Sequence, residues 1–288
     1  VAYSSLNPSA AAAHRRADGL AALVAREAVG ADIYITERPY LHTVTWPLNQ
    51  GVTVCRVEDA LPLLGLYFRA QGEFPVAHKY KLNRGLYFWV GTRELLPAAW
   101  RWFTACVQHS MGSKDSALTI LGGSLLQRVN RALEARDAVH VALNQPQNND
   151  TQQEALSQLD VVLLSLMSAA DVTARVAHHV LGMPGANVYL AAWQSPKWVK
   201  SVRALHPQLA AEVAVGSSGE RVLAILRLLR NSIHGMALQG IAIVQPGSPI
   251  ENLVVLPDAD QADVVAAMEA QGGLESWGAR KLMPGRIH

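Results

Sequence analysis

Apolar residues recur at helical spacing over most of the chain, and at strand spacing only near its two ends. Residues 9–29 are alanine-rich with Leu20, Leu23 and Val24, and read as a helix with Pro8 at its start and Gly30 at its stop. Residues 31–36 and 51–55 are short and rich in β-formers, which predicts two buried strands. A helix follows over 57–70, carrying Leu61, Leu64 and Leu66 and closed by Gly72. Helix, strand, strand, helix is the order of an α/β unit with a parallel sheet. The period then becomes helical. One helix is expected over 86–109, one over 114–143, and one over 152–181 after the polar loop 145–150, with Asp150 or Thr151 as its cap. Met183-Pro184-Gly185 breaks the pattern, and shorter helices follow at 196–204 and 207–213. Ser217 with Glu220 three residues later has capping-box form and opens another helix, stopped by Gly235 or Gly240. Segments 241–244 and 253–256 flank a Pro-Gly-Ser-Pro turn and predict a β-hairpin, and 258–270 reads as a last helix. The expected fold is therefore mainly α: a small α/β N-terminal module at 1–75, an α-helical bundle at 86–240, and a C-terminal hairpin and helix at 241–288.

Composition narrows the functional classes. Half of the 288 residues are apolar and 17% are charged, which suits a core-forming globular chain. A net charge of +2 is no polycation, so nucleic-acid binding has to come from a local patch. Cys55 and Cys106 have neither metal-site nor disulfide-framework spacing, and a reducing cytoplasm is the expectation. No basic segment followed by an apolar run opens the chain. The longest apolar stretches are interrupted by charges short of about 20 residues, so no membrane span is expected.

The sharpest chemistry lies in the helix opened by Ser217. Arg227, Arg230, Asn231 and His234 are separated by three, four and seven positions and share one face. Val222, Ile225, Leu226, Leu229, Ile233 and Met236 form the opposing apolar stripe. Guanidinium groups grip phosphate oxygens, and a histidine titrates near neutral pH, so this face has the parts to bind and cleave a phosphodiester. The alternative is a polar face satisfied within the bundle. Other polar residues read as structural. Trp89, Trp100, Trp102 and Phe103 suit core packing better than base stacking. Of His178 and His179 one should face the core and one the solvent, since helix neighbours point about 100° apart. His109 and His140 need no special role, and Glu134, Arg136 and Asp137 read as a solvated face.

Leu229-Arg230-Asn231-Ser232-Ile233-His234-Gly235 resembles the HEPN superfamily signature, an arginine followed by a polar residue, with four to six residues between that arginine and a later histidine. Here three residues separate Arg230 from His234. Arg227 has the family spacing to His234 but is followed by Leu228. The resemblance implies a dimeric helical bundle that binds RNA or nucleotide. It also implies, in many members, a metal-independent endoribonuclease of a toxin–antitoxin or defence system, with an antitoxin or other protein partner. It makes Arg230, Asn231 and His234 the catalytic residues and Arg227 and Arg230 the phosphate ligands. A second segment, Gly30 to Arg38 with Gly51-Val52-Thr53-Val54 and the Glu58-Asp59-Ala60-Leu61 helix, resembles the last third of a PIN-like nuclease domain. That resemblance makes Asp32 and Glu37 carboxylate ligands for Mg²⁺ or Mn²⁺. The family's earlier acidic residues have no counterpart here. No cofactor is expected unless that module is active. Three readings follow: a metal-independent ribonuclease or RNA-binding protein, a non-catalytic dimerisation or partner-binding module, and a metal-dependent PIN-like nuclease.

Overall fold

The computed structural model describes residues 7–31, 33–37, 53–77, 79–113, 116–145, 148–183, 188–235, 239–243, 251–255, 258–277, 279, 281–283 and 286–287. The fold is mainly helical, as the 3.6-residue period requires. It divides into two compact units. The first joins Val1–Glu73, Val139–Ala155 and Gly240–Leu253, and the second joins Phe74–Ala138, Leu156–Gln239 and Val254–His288.

In the first unit, α1 (Pro8–Val29) leads to β1 (Ile33–Ile35), β2 (Thr53–Cys55) and α2 (Val57–Ala70). Asn7 caps α1, its Oδ1 accepting from the Ala10 backbone N–H at 2.8 Å. Gly30 takes the left-handed backbone (φ +63°) that stops the helix. β1 and β2 run parallel, with Ile33 opposite Thr53 and Ile35 opposite Cys55. β5 (Gln239–Ile243) lies beside β6 (Glu251–Val255) in the sheet order. The turn Pro246-Gly247-Ser248-Pro249 lies outside the described residues.

The second unit opens on the short antiparallel pair β3 (Val76–Ala77) and β4 (Tyr80–Lys81). The single helix expected over 86–109 is two: α3 (Arg84–Leu95) and α4 (Pro97–Ser113). Proline disfavours the helical conformation in the residue before it, and Leu96 sits at φ −130°, ψ 61°. α5 (Ala117–Leu143) and α6 (Asn149–Val180) are the longest helices. The α6 cap is Asn148 rather than Asp150 or Thr151. Its Oδ1 accepts from the backbone N–H groups of Asp150 and Thr151, while its own N–H donates to Thr151 Oγ1. Asparagine and threonine thus satisfy each other's ends of the first turn.

Beyond a short 3-10 turn (Val188–Leu190) come α7 (Pro196–Leu205), α8 (Pro207–Ala211), α9 (Ser218–Gly235) and α10 (Asp258–Ala270). A second 3-10 turn (Leu274–Trp277) and strands β7 (Lys281–Met283) and β8 (Arg286–Ile287) follow. β8 pairs antiparallel with both β6 and β7. The strand order is β5-β6-β8-β7.

α6 is the spine of this second unit. Its Leu163 packs with Ile225 of α9 and Val264 and Met268 of α10. Ala169 and Val172 meet Leu125 of α5, and Val176 meets Cys106 and Leu118. Ala174 meets Trp198, Val199 and Val202 of α7. By length and composition alone α6 is apolar enough to cross a membrane, although Asp160, Asp171 and Arg175 interrupt it short of about 20 residues. Leu163, Ala169, Val172, Ala174 and Val176 of α6 pack against α4, α5, α7, α9 and α10 of the same unit, while Val161 and Leu164 are exposed. α5 approaches α4 closely at Gly122, where a β-carbon would lie 2.8 Å from the Phe103 ring.

Two indole N–H groups tie α6 to the segment after it. Trp198 Nε1 donates to His178 Nδ1 at 3.2 Å, and Trp193 Nε1 to Thr173 Oγ1 at 2.7 Å. His178 is buried and His179 exposed, as the helical geometry requires. The tryptophans serve the core: Trp89 meets Trp100 edge to face, Trp100 meets Phe103, and Trp102 covers Cys106 and Leu125. One expectation of a solvated face fails. Glu134 and Asp137 lie on α5 with Arg136, but Asp137 is buried, since α5 is covered on more than one side.

Candidate functional site

α9 is built as its sequence requires. Ser217 caps it, with the Glu220 backbone N–H donating to Ser217 Oγ at 3.1 Å and the Gly216 N–H donating to Glu220 Oε2 at 3.4 Å. Ser217 Oγ also donates to the Glu212 carbonyl at 2.9 Å, fixing the loop before the helix. A β-carbon at Gly219 would run into that same carbonyl, so glycine is needed for this close approach. Ile225 is fully buried, and Leu226, Leu228 and Leu229 pack around it against α6 and α10. The far side carries Arg227 and Asn231, both exposed, and Arg230, which is half-buried. The Arg230 Nη1 group donates to Asn231 Oδ1 at 3.4 Å. The helix continues without a break through His234 and ends at Gly235. The backbone register that puts Arg227, Arg230, Asn231 and His234 at three-, four- and seven-residue intervals therefore holds. The side chains of Ile233 and His234, and the whole of Met236, lie outside the described residues.

Arg230 belongs to a charged cluster that sequence reading missed. Asp171 on α6 is half-buried, and burial pushes its carboxyl pKa up. Three guanidinium groups oppose that rise: Arg175 one turn along the same helix, Arg230 on α9 and Arg128 on α5. The Nε atoms of Arg128 and Arg175 are shielded from solvent and have no hydrogen-bond acceptor among the described residues. The Arg175 guanidinium lies 5.6 Å from the centroid of the Tyr189 ring. The signal was present in the sequence. Asp171 and Arg175 stand four residues apart in the more apolar second half of α6, where charge is rarely buried without a partner.

No family model, curated protein or solved structure matches the chain. The site must therefore be read from its own chemistry.

The acidic pair of the N-terminal module is not brought into a site by the described residues. Asp32 lies outside them and Glu37, after β1, is exposed. Glu58 and Asp59 are exposed in the first turn of α2. Among the described residues no group of three His, Cys, Asp or Glu side chains gathers as a metal site. Cys55 and Cys106 are buried free thiols. Burial raises the pKa of both, with the Asp59 carboxylate adding to the rise at Cys55. Neither has the thiolate character that nucleophilic chemistry needs.

Proposed function

We propose that this protein binds RNA on the polar face of α9 and cleaves it without a metal ion. In this reading the ribose 2′-oxygen attacks the adjacent phosphorus, the bond to the 5′-oxygen breaks, and a cyclic phosphate is left on the upstream fragment. His234 accepts the 2′-hydroxyl proton as general base, and the leaving 5′-oxygen takes a proton from water to become a hydroxyl. Arg230, with Arg227, holds the phosphate and offsets the charge that grows on its oxygens. Asn231 fixes the Arg230 side chain. The protein acts in the cytoplasm as a homodimer of the HEPN kind, in a toxin-like system with a protein antitoxin or other partner. Two α9 helices meeting across a two-fold axis would double the phosphate-binding groups.

One observation carries this reading. Ile225, Leu226, Leu228 and Leu229 of α9 are used in packing, while Arg227, Arg230 and Asn231 stand off them on an unbroken helix that reaches His234. Two guanidinium groups and an amide on one outward face are the donors that a phosphate oxygen takes.

The test is incubation of mixed single-stranded RNA with purified protein in excess EDTA. Cleavage is expected, with His234→Ala slower by about 10²–10⁴-fold and Arg230→Ala by about 10²–10³-fold. A second reading, a non-catalytic interaction module, is favoured by Asp171, which feels the charge of Arg230 and gives it a role within the fold. Absence of cleavage by wild-type protein would select it. Cleavage that appears only with Mn²⁺ and ignores His234→Ala would instead move the chemistry to Asp32 and Glu37.

A further inference from the structure

Asp171 and Glu212 bracket forty residues without an Asp or Glu. With 23 acidic residues in 288, a stretch of that length would ordinarily hold about three. Three of the cations inside it gather on α7, where Lys197, Lys200 and Arg203 recur every third residue and all are exposed. The other side of α7 is apolar. Trp198, Val199 and Val202 are buried with Ala174 of α6 and Ala191, so the helix turns its three cations away from the core. Among the described residues none of the three has a carboxylate within ion-pair distance. Lys197 even stands in the first turn, where the helix dipole disfavours a cation and no acidic residue offsets it. The row therefore concentrates positive field on one outward face of a chain whose net charge is only +2.

The packing on α6 relates this face to α9. Leu156, Leu159 and Leu163 and then Ala174, Ala177 and Leu181 fall in one row along α6, because eleven residues make about three turns. α9 and α10 pack on the first half of the row and α7 on the second. α7 and α9 thus lie on the same side of α6, with about 16 Å of its axis between Leu163 and Ala174. A lipid surface suits α7 poorly, since its apolar face is taken up by α6 and has nothing left to insert. A phosphate backbone suits it well. Lys197 to Arg203 covers about 9 Å of helix axis, and the phosphates of a stacked strand recur about every 3.4 Å, so three successive phosphates come within reach of three long side chains. We propose that Lys197, Lys200 and Arg203 form a track for the phosphate backbone of single-stranded RNA, which adds affinity without reading sequence. The track rests on the reading of this chain as an RNA-binding protein and depends on neither His234 nor cleavage.

Fluorescence anisotropy of the full chain with a labelled 2′-O-methyl RNA strand, in EDTA and over a series of salt concentrations, tests the track. That strand lacks the attacking hydroxyl and stays intact whether or not the protein is a nuclease. Wild-type protein is expected to bind, with log K falling linearly against log salt. Counterion release from a single strand contributes a slope of about −0.7 per phosphate neutralised, so the three cations together should supply about −2. Lys200→Gln should make the slope shallower by about 0.7, and the triple variant Lys197→Gln, Lys200→Gln, Arg203→Gln by about 2, with binding at low salt weakened roughly tenfold or more. A second triple variant, Arg93→Gln, Arg101→Gln, Arg131→Gln, removes the same charge from exposed positions on α3, α4 and α5 and should keep the wild-type slope. Circular dichroism checks that the helices persist in both. Failure of wild-type protein to bind the strand overturns the track, and so do equal losses in the two triple variants, which would leave only net charge at work. Capture of the protein by phosphatidylserine vesicles through Lys197, Lys200 and Arg203, with RNA binding indifferent to them, would assign the face to a membrane and overturn it as well. Cleavage of unmodified RNA in EDTA, with the slope unchanged in the α7 triple variant, would leave the nuclease reading standing and remove this one. A shallower slope in that variant without any cleavage would keep the track and remove the nuclease.

Discussion

Asp160 shows how much one atom can weigh in a helical core. It sits on α6 among Leu156, Leu159 and Leu163, and its Oδ1 is shut off from solvent with no hydrogen-bond donor among the described residues. Burial accordingly raises its pKa. A carboxyl whose folded-state pKa lies above its unfolded value destabilises the fold wherever it is charged. The penalty is fully present above the folded pKa and fades as pH falls through it toward the unfolded value of about 3.9. Asp160→Asn should therefore raise the melting temperature at pH 7, by an amount near 1 kcal/mol once partial exposure is allowed for, or roughly 2–4 °C. Thermal melts repeated at descending pH should show the two proteins converging. An advantage that persists at pH 3 would mean that charge is not the cause. Single residues of this kind were poorly legible in the sequence. Asp137 reads as solvated because its neighbours Glu134 and Arg136 are charged, yet it is buried, since the number of sides on which α5 is covered is set by segments far away in the chain. His178 was legible, because the turn angle of a helix alone separates it from His179.

At the scale of elements, local chemistry told most of the story. The box formed by Ser217 and Glu220 opens α9 where the pattern placed it, and the bounds of α2 and α10 match the apolar period. The break at Leu96 was available in the sequence, since Pro97 follows it, but the run of tryptophans masked it by keeping the apolar pattern continuous. The approach of α5 to α4 was not available, because nothing local distinguishes Gly122 from any other glycine in a helix. Gly122→Ala sets two effects against each other. Alanine favours a helix over glycine by about 0.8–1.0 kcal/mol. Its methyl, however, would lie 2.8 Å from Cδ2 of the Phe103 ring, which is itself held edge to face by Trp100. Overpacking typically costs about 1–3 kcal/mol, so the clash should win and the melting temperature should fall. Combining it with Phe103→Leu tests the mechanism. If the ring is the obstacle, Gly122→Ala should destabilise less in the Phe103→Leu background than alone.

Across the whole molecule, the helical class was legible because period and composition report on the average residue. The clustering of Arg128, Asp171, Arg175 and Arg230 was not, since it joins positions up to a hundred residues apart through the packing of three helices. The division into units was equally hidden, because each is assembled from three separate stretches of chain. That interleaving bears on how the protein is made. A ribosome delivers residues in order, and a domain encoded in one stretch can fold while the rest is still being added. Neither unit here has that opportunity. When Gly235 has emerged, α9 is complete but Val264 and Met268, which cover Ile225, do not yet exist. Nascent chains stalled just beyond residue 235 should therefore be cut by a protease within α9. Chains released after residue 279 should resist it, and equal resistance at both lengths would show that α10 is not what seals the core. A protein built this way leaves the α10 side of Ile225 and Leu229 uncovered until residues 258–279 have been made, so that stretch decides whether the chain folds or is captured by a chaperone.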